Sequence, residues 1–76
     1  MERLLEYLAK HLVDKPEEVR VVRTVRDDTV VLELHVAQED IGKVIGRQGR
    51  IARALRTLVR ASGGHRNERA VLEIVD

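Results

Sequence analysis

Two glycines three positions apart, Gly46 and Gly49, sit inside the run Ile41-Gly42-Lys43-Val44-Ile45-Gly46-Arg47-Gln48-Gly49-Arg50. No other stretch restricts the fold as strongly. Glycine costs roughly 0.5–1 kcal/mol relative to alanine inside a helix, yet segments of helical period flank this pair on both sides. The chain is therefore expected to turn sharply here, out of one helix and into the next. Without Cβ atoms, the turn also admits another backbone at close range, and the residues between the glycines, Arg47 and Gln48, are basic and polar.

Charge is distributed to match. The formal net charge is only +1, but residues 1–40 hold six Lys/Arg against ten Asp/Glu, while residues 41–69 hold eight Lys/Arg against one acid, Glu68. A basic half on a nearly neutral chain suits a polyanionic partner. A solvated, arginine-rich helix face is the plainer reading, and charge alone does not separate the two.

Length and composition set further bounds. Seventy-six residues make one domain, spanning 1–76. A chain this short buries only about 60% of its unfolded surface, so its core is modest. It has no cysteine, which excludes disulfides and thiolate-metal sites. No apolar run approaches the roughly 18–20 residues of a membrane span, and Met1-Glu2-Arg3-Leu4 does not open a signal peptide. A cytoplasmic protein with no membrane partner is expected.

The elements follow from periodicity. Residues 2–13 read as an amphipathic helix with Leu4, Leu5, Leu8 and Leu12 on its apolar face. It ends before Pro16, which pushes Lys15 out of the α region. Val19–Arg26 and Thr29–Val36 read as strands, the second with Val30, Leu32, Leu34 and Val36 on one face, and Asp27-Asp28 joins them as a hairpin turn. A short helix is expected over 38–45, with Glu39-Asp40 as its N-terminal cap. A longer helix is expected over 50–61, its core face carrying Ile51, Leu55, Leu58 and Val59, and Ser62-Gly63-Gly64-His65 should break it. A last strand over 68–75 completes an α-β-β-α-α-β order. The helical crossover between the second and third strands favours parallel pairing. The expected fold is α+β, a three-stranded mixed sheet of order 1-2-3 with three helices on one face. The other face would show Val22, Val31, Glu33, Val71, Glu73 and Val75, an excess of valine for which self-association is one outlet.

This order, with Val44-Ile45-Gly46-Arg47-Gln48-Gly49 between its second and third helices, resembles the KH domain in its type II arrangement. The resemblance covers the whole chain and is nearest to the small bacterial RNA-binding proteins that consist of a single KH domain. It implies a non-enzymatic protein of the RNA chaperone or post-transcriptional regulator kind, one that binds single-stranded RNA without a cofactor. Such proteins often act as homodimers or with a second KH-containing protein. One departure stands out. Many KH domains carry a large aliphatic residue three positions after the second glycine, whereas this chain has Ala52 there, so base preference is not carried over.

In the family the GxxG loop clamps the backbone of about four nucleotides. The resemblance places Gly46, Arg47, Gln48 and Gly49 in that clamp, with Arg50, Arg53 and Lys43 extending a basic track and Ile41, Gly42, Ile45 and Ile51 beside the bases. The physics agrees. Absent side chains let a sugar-phosphate strand pass, a following helix offers N–H groups and the positive end of its dipole, and arginines supply charge-assisted hydrogen bonds. Of the adjacent Val44 and Ile45, about 100° apart on a helix, one should face the interior, and Ile45 is expected at the groove wall. Gly42 reads more simply as a helix-packing glycine, Arg56 and Arg60 as solvated, and Gly63-Gly64 as a helix stop. In this fold that last loop flanks the nucleic acid, which brings in His65 and Arg66.

The competing readings are a helix-turn-helix DNA binder and a protein-interaction module with a degenerate RNA site. Three strands and a polar four-residue loop disfavour the first. The second would use the valine-rich sheet face or the last helix. His11, His35 and His65 lack metal-ligand spacing, and Gly42, Gly46 and Gly49 follow a helix, not the strand that a dinucleotide fingerprint requires. Tyr7 is the sole aromatic residue. Stacking platforms of the kind used by RRM and OB-type binders are thereby disfavoured, and a single domain should bind weakly unless multivalent.

Overall fold

In the computed structural model, which describes residues 1–65 and 67–75, the helices and strands alternate as their periodicities require. Helix α1 (Glu2–Leu12) buries Leu5 and Ala9. Leu4, expected on that face, is 45% exposed. The buried stripe is centred between Leu5, Ala9 and Leu12, and Leu4 falls on its flank. The chain leaves α1 through Val13 in extended conformation and makes one turn of 3₁₀ helix at Pro16–Glu18.

Strands β1 (Arg20–Arg26) and β2 (Thr29–His35) pair antiparallel, with Arg26 opposite Thr29. Asp27 and Asp28 form the two-residue turn, both at positive φ (51° and 64°), the conformation that matches the twist of a tight hairpin and that aspartate tolerates. After β2, a 3₁₀ turn at Gln38–Asp40 leads into α2 (Ile41–Ile45), so the expected helix over 38–45 is split. A second 3₁₀ turn, Arg47–Gly49, leads into α3 (Arg50–His65), and β3 (Arg69–Val75) lies parallel to β2. The sheet order is β1-β2-β3. Leu5 and Ala9 of α1, Val44 of α2 and Leu55 and Val59 of α3 join Leu32, Leu34 and Leu72 in one core. All three helices therefore pack on the same side of the sheet, as a type II KH fold requires.

Two further expectations fail. Helix α3 does not stop at Ser62-Gly63-Gly64 but continues to His65. Gly63 is an interior packing position: a Cβ there would lie 2.7 Å from the Cβ of Ala70 and 2.9 Å from the carbonyl oxygen of Glu68. The helix ends instead on Asn67 at φ 58°. There the Asn67 N–H donates to the Gly64 carbonyl (3.1 Å) and the Glu68 N–H to the Gly63 carbonyl (2.7 Å), the pairing of a left-handed C-terminal cap. On the open sheet face, Val31 is only 4% exposed. It occupies the central strand between Thr24 and Val71, and the charged rim, including Arg26 and Glu73 at 3.6 Å, leaves Val71 as its principal exposed valine. Among the described residues, no helix is long and apolar enough to cross a membrane.

Candidate nucleic-acid interface

Helix α2 is five residues long, far below the length at which a helix persists unaided. Tertiary contacts must hold it. Val44 is fully buried while Ile45 is 38% exposed, so the two adjacent aliphatics divide as expected. Ile41 is half-buried, and Gly42 is exposed with no atom within 4 Å of an added Cβ. Gly42 is therefore not a helix-packing glycine. Its carbonyl accepts the Gly46 N–H at 2.9 Å and closes α2.

At Gly46 the backbone takes φ 76° and ψ 173°, a region essentially confined to glycine. A Cβ there would also lie 2.6–2.9 Å from three side-chain atoms of Ile51. Gln48 follows at φ 57°, ψ 24°, and Gly49 at φ 74°. The Gly49 N–H donates to the Gly46 carbonyl at 3.1 Å, and the Arg50 N–H to the Arg47 carbonyl. This tight turn places the first turn of α3 directly after the loop, so the positive end of that helix faces it.

The two glycines thus differ. Gly46 packs against Ile51, whereas Gly49 has nothing within 4 Å of its would-be Cβ and is open to an approaching chain. Arg47, Gln48, Arg50 and Arg53 are exposed around it, and Arg50 Nη2 donates to Gln48 Oε1 at 3.3 Å. Ile51 is half-buried and packs on the core. Ala52 is 2% exposed and faces the interior, so its small size is felt in the core. Lys43 is engaged elsewhere: its Nζ lies 3.2 Å from Asp14 Oδ2 and 3.6 Å from Asp40 Oδ1.

That engagement belongs to a network the sequence did not reveal. Asp40 starts α2, but its carboxylate does not cap that helix. Oδ1 accepts the Asp14 main-chain N–H at 3.2 Å and Oδ2 the Lys15 N–H at 3.0 Å. Beside it, Lys15 Nζ bonds Glu39 Oε2 at 2.7 Å. Burial disfavours the Asp40 anion, but the two N–H donors and Lys43 outweigh it and hold the carboxyl below the ordinary range. The Lys15 ammonium draws Glu39 down as well, and the carboxylates of Glu39 and Asp14 raise Lys15 and Lys43. The partners are some 25 residues apart, and no periodicity or motif links them.

Arg56 and Arg60 are exposed further along α3, as expected. His65, also exposed, closes that helix at the end remote from the loop, roughly 22 Å away at 1.5 Å per residue; Arg66 lies outside the described residues. Tyr7 is on α1, its ring 4.3 Å from that of His11. Among the described residues no three His, Asp or Glu side chains gather as metal ligands.

The chain is similar to proteins of a known family. The family model described as KhpA/KhpB, KH domain, matches residues 2–74. The RNA-binding protein KhpA of Clostridium perfringens is 51% identical over 75 residues, covering 99% of this chain and all of that protein. That of Treponema pallidum is 52% identical, covering 99% and 94%, and that of Aquifex aeolicus 51% identical, covering 96% and 92%. No solved structure matches at a significant level.

Proposed function

The chain belongs to the KhpA/KhpB family of KH domains, and from that membership we propose that it binds single-stranded RNA non-enzymatically, clamping the sugar-phosphate backbone on the Gly46–Gly49 loop. The family's curated relatives are named RNA-binding proteins, which supports the ligand class. The observation that carries the clamp is the open main chain at Gly49, ringed by exposed Arg47, Gln48 and Arg50. Phosphate oxygens there would meet guanidinium donors and the positive end of α3. Ile41 and Ile45 on the outer side of α2, with Gly42 between them and Ile51 beyond Gly46, provide the apolar surface against which bases would lie. Arg53 continues the track one turn along α3. Lys43 would reach a phosphate only by yielding its carboxylate partners.

With Tyr7, on α1, as the sole aromatic residue of the sequence, stacking offers little to each base. Useful affinity then calls for more than one domain per RNA, through a second copy of this chain or a second KH-containing protein. The family model's name covers two kinds of member, which fits either pairing. A role as RNA chaperone or post-transcriptional regulator is what the resemblance to small single-KH RNA-binding proteins implies.

The test replaces Arg47 and Gln48 together by aspartate. Both are exposed, and aspartate tolerates the left-handed conformation of position 48, so circular dichroism should not change. Gel shifts with a short single-stranded RNA should lose the complex. Binding retained by the folded double variant would remove the loop from the mechanism, and preference for duplex DNA would favour a helix-turn-helix reading.

A further inference from the structure

Asp40 is fully buried, alone among the charged side chains of the described residues. Charge is expensive to bury, and a chain retains it only where the group is paired and hydrogen-bonded. Here each carboxylate oxygen accepts a main-chain N–H from the α1–β1 connection, at Asp14 and Lys15. Lys43, one turn into α2, binds both Asp14 and Asp40. The carboxylate therefore ties the start of α2 to a segment distant in sequence, and it does not serve α2 as a cap.

The consequence reaches the loop. Five residues of α2 separate Asp40 from Gly46, about 9 Å at 1.5 Å per residue. A helix this short has no internal stability to define its own direction. Tertiary contacts define it: Val44 in the core at one side, the Gly46 main chain against Ile51 at the C-terminal end, and Asp40 at the N-terminal end. Without Asp40 the N-terminal end of α2 would be untied, and the helix could tilt about Val44 and the Gly46–Ile51 contact, shifting the Gly46–Gly49 turn at its other end.

Resting on the reading of that loop as the RNA clamp, we propose that Asp40 is a positioning residue for RNA binding: it touches no ligand, and through α2 it holds the loop in its binding geometry. Coupling of this kind is reciprocal, so RNA seated on the loop should in turn secure the hydrogen bonds that Asp40 accepts.

Two measurements test this, with a short single-stranded RNA of randomised sequence as the probe. The first compares Asp40→Asn with Val31→Ala, a buried change on the sheet face opposite the helices, each at a temperature where circular dichroism shows it fully folded. Asp40→Asn should weaken binding about tenfold, and Val31→Ala should stay close to the wild type. The second follows amide hydrogen exchange in the wild-type protein, where added RNA should slow the Asp14 and Lys15 amides. Wild-type affinity in Asp40→Asn, an equal loss in Val31→Ala, or unchanged exchange at Asp14 and Lys15 would each overturn the proposal. Should Asp40→Asn not fold, exchange in the wild type decides. If the Arg47/Gln48 double variant still binds RNA, the clamp reading itself has failed. If that variant loses binding while Asp40→Asn keeps it, only the positioning role has.

Discussion

The side chain of Ile51 occupies the space that a Cβ on Gly46 would need, its Cγ1 lying 2.6 Å from that position. The first residue of α3's apolar face thus presses against the main chain that ends α2, and the loop is closed by packing as well as by hydrogen bonds. Gly49 has no such neighbour. One glycine is required by the protein's own packing, and the other has open space beside it.

Alanine at these two positions should therefore give different results. Gly46→Ala combines a glycine-only conformation with a clash, and should cost about 2–4 kcal/mol in urea unfolding. Gly49→Ala meets only the left-handed penalty, about 1–2 kcal/mol. It should stay folded yet bind RNA more weakly, because its methyl projects where the backbone would pass. A Gly46→Ala protein as stable as the wild type would contradict the contact with Ile51.

The adjacent glycines of α3 should respond with opposite signs. Helix propensity alone favours alanine at both, by about 0.5–1 kcal/mol. At Gly64 nothing lies within 4 Å of an added Cβ, so Gly64→Ala should raise the urea midpoint. At Gly63 the Cβ of Ala70 and the carbonyl of Glu68 are in the way, so Gly63→Ala should destabilise by about 1–3 kcal/mol. Equal effects at the two positions would show that α3 and β3 are less closely packed than described.

Salt dependence should count the phosphates. For a single strand, log affinity falls against log salt with a slope of about −0.7 per phosphate neutralised, so contacts from Arg47, Arg50 and Arg53 give about −2. Arg47→Ala should make the slope shallower by about 0.7, whatever the RNA sequence. A wild-type slope near zero would rule out a phosphate clamp.

Acid should weaken the fold through Asp40 and Glu39. Asp40 is depressed because its N–H donors and Lys43 outweigh its burial, and Glu39 because it bonds Lys15. In acid the unfolded chain binds more protons than the folded one, so the contribution is complete above about pH 5 and is lost as pH falls below about 4, through the depressed folded values. Lys15 and Lys43 are raised. Their contribution persists through neutral pH and is lost only as pH rises past their folded values, above about 10.5. Urea midpoints should thus be level between about pH 5 and 9 and fall in acid, and Asp40→Asn, less stable at neutral pH, should show a flatter acid limb.

Much of this protein was set locally and could be read from the chain. The periods of 2 and 3.6, the Asp27-Asp28 hairpin turn and the glycine pair each depend on neighbouring residues, and they delivered the strand order, the parallel crossover and the position of the loop. Other features depended on what lies opposite. Ser62-Gly63-Gly64 has the composition of a helix stop, but close approach to Ala70 makes Gly63 part of a helix. Val31 alternates as a surface residue, but as the centre of three strands it is covered by its neighbours. Asp40 looks like a cap, but it meets its donors only once α1 and α2 have packed together. Sequence pattern records how a residue faces along its own element. Which atoms meet across elements, and so which glycine is filled and which carboxylate is buried, is decided by packing in three dimensions.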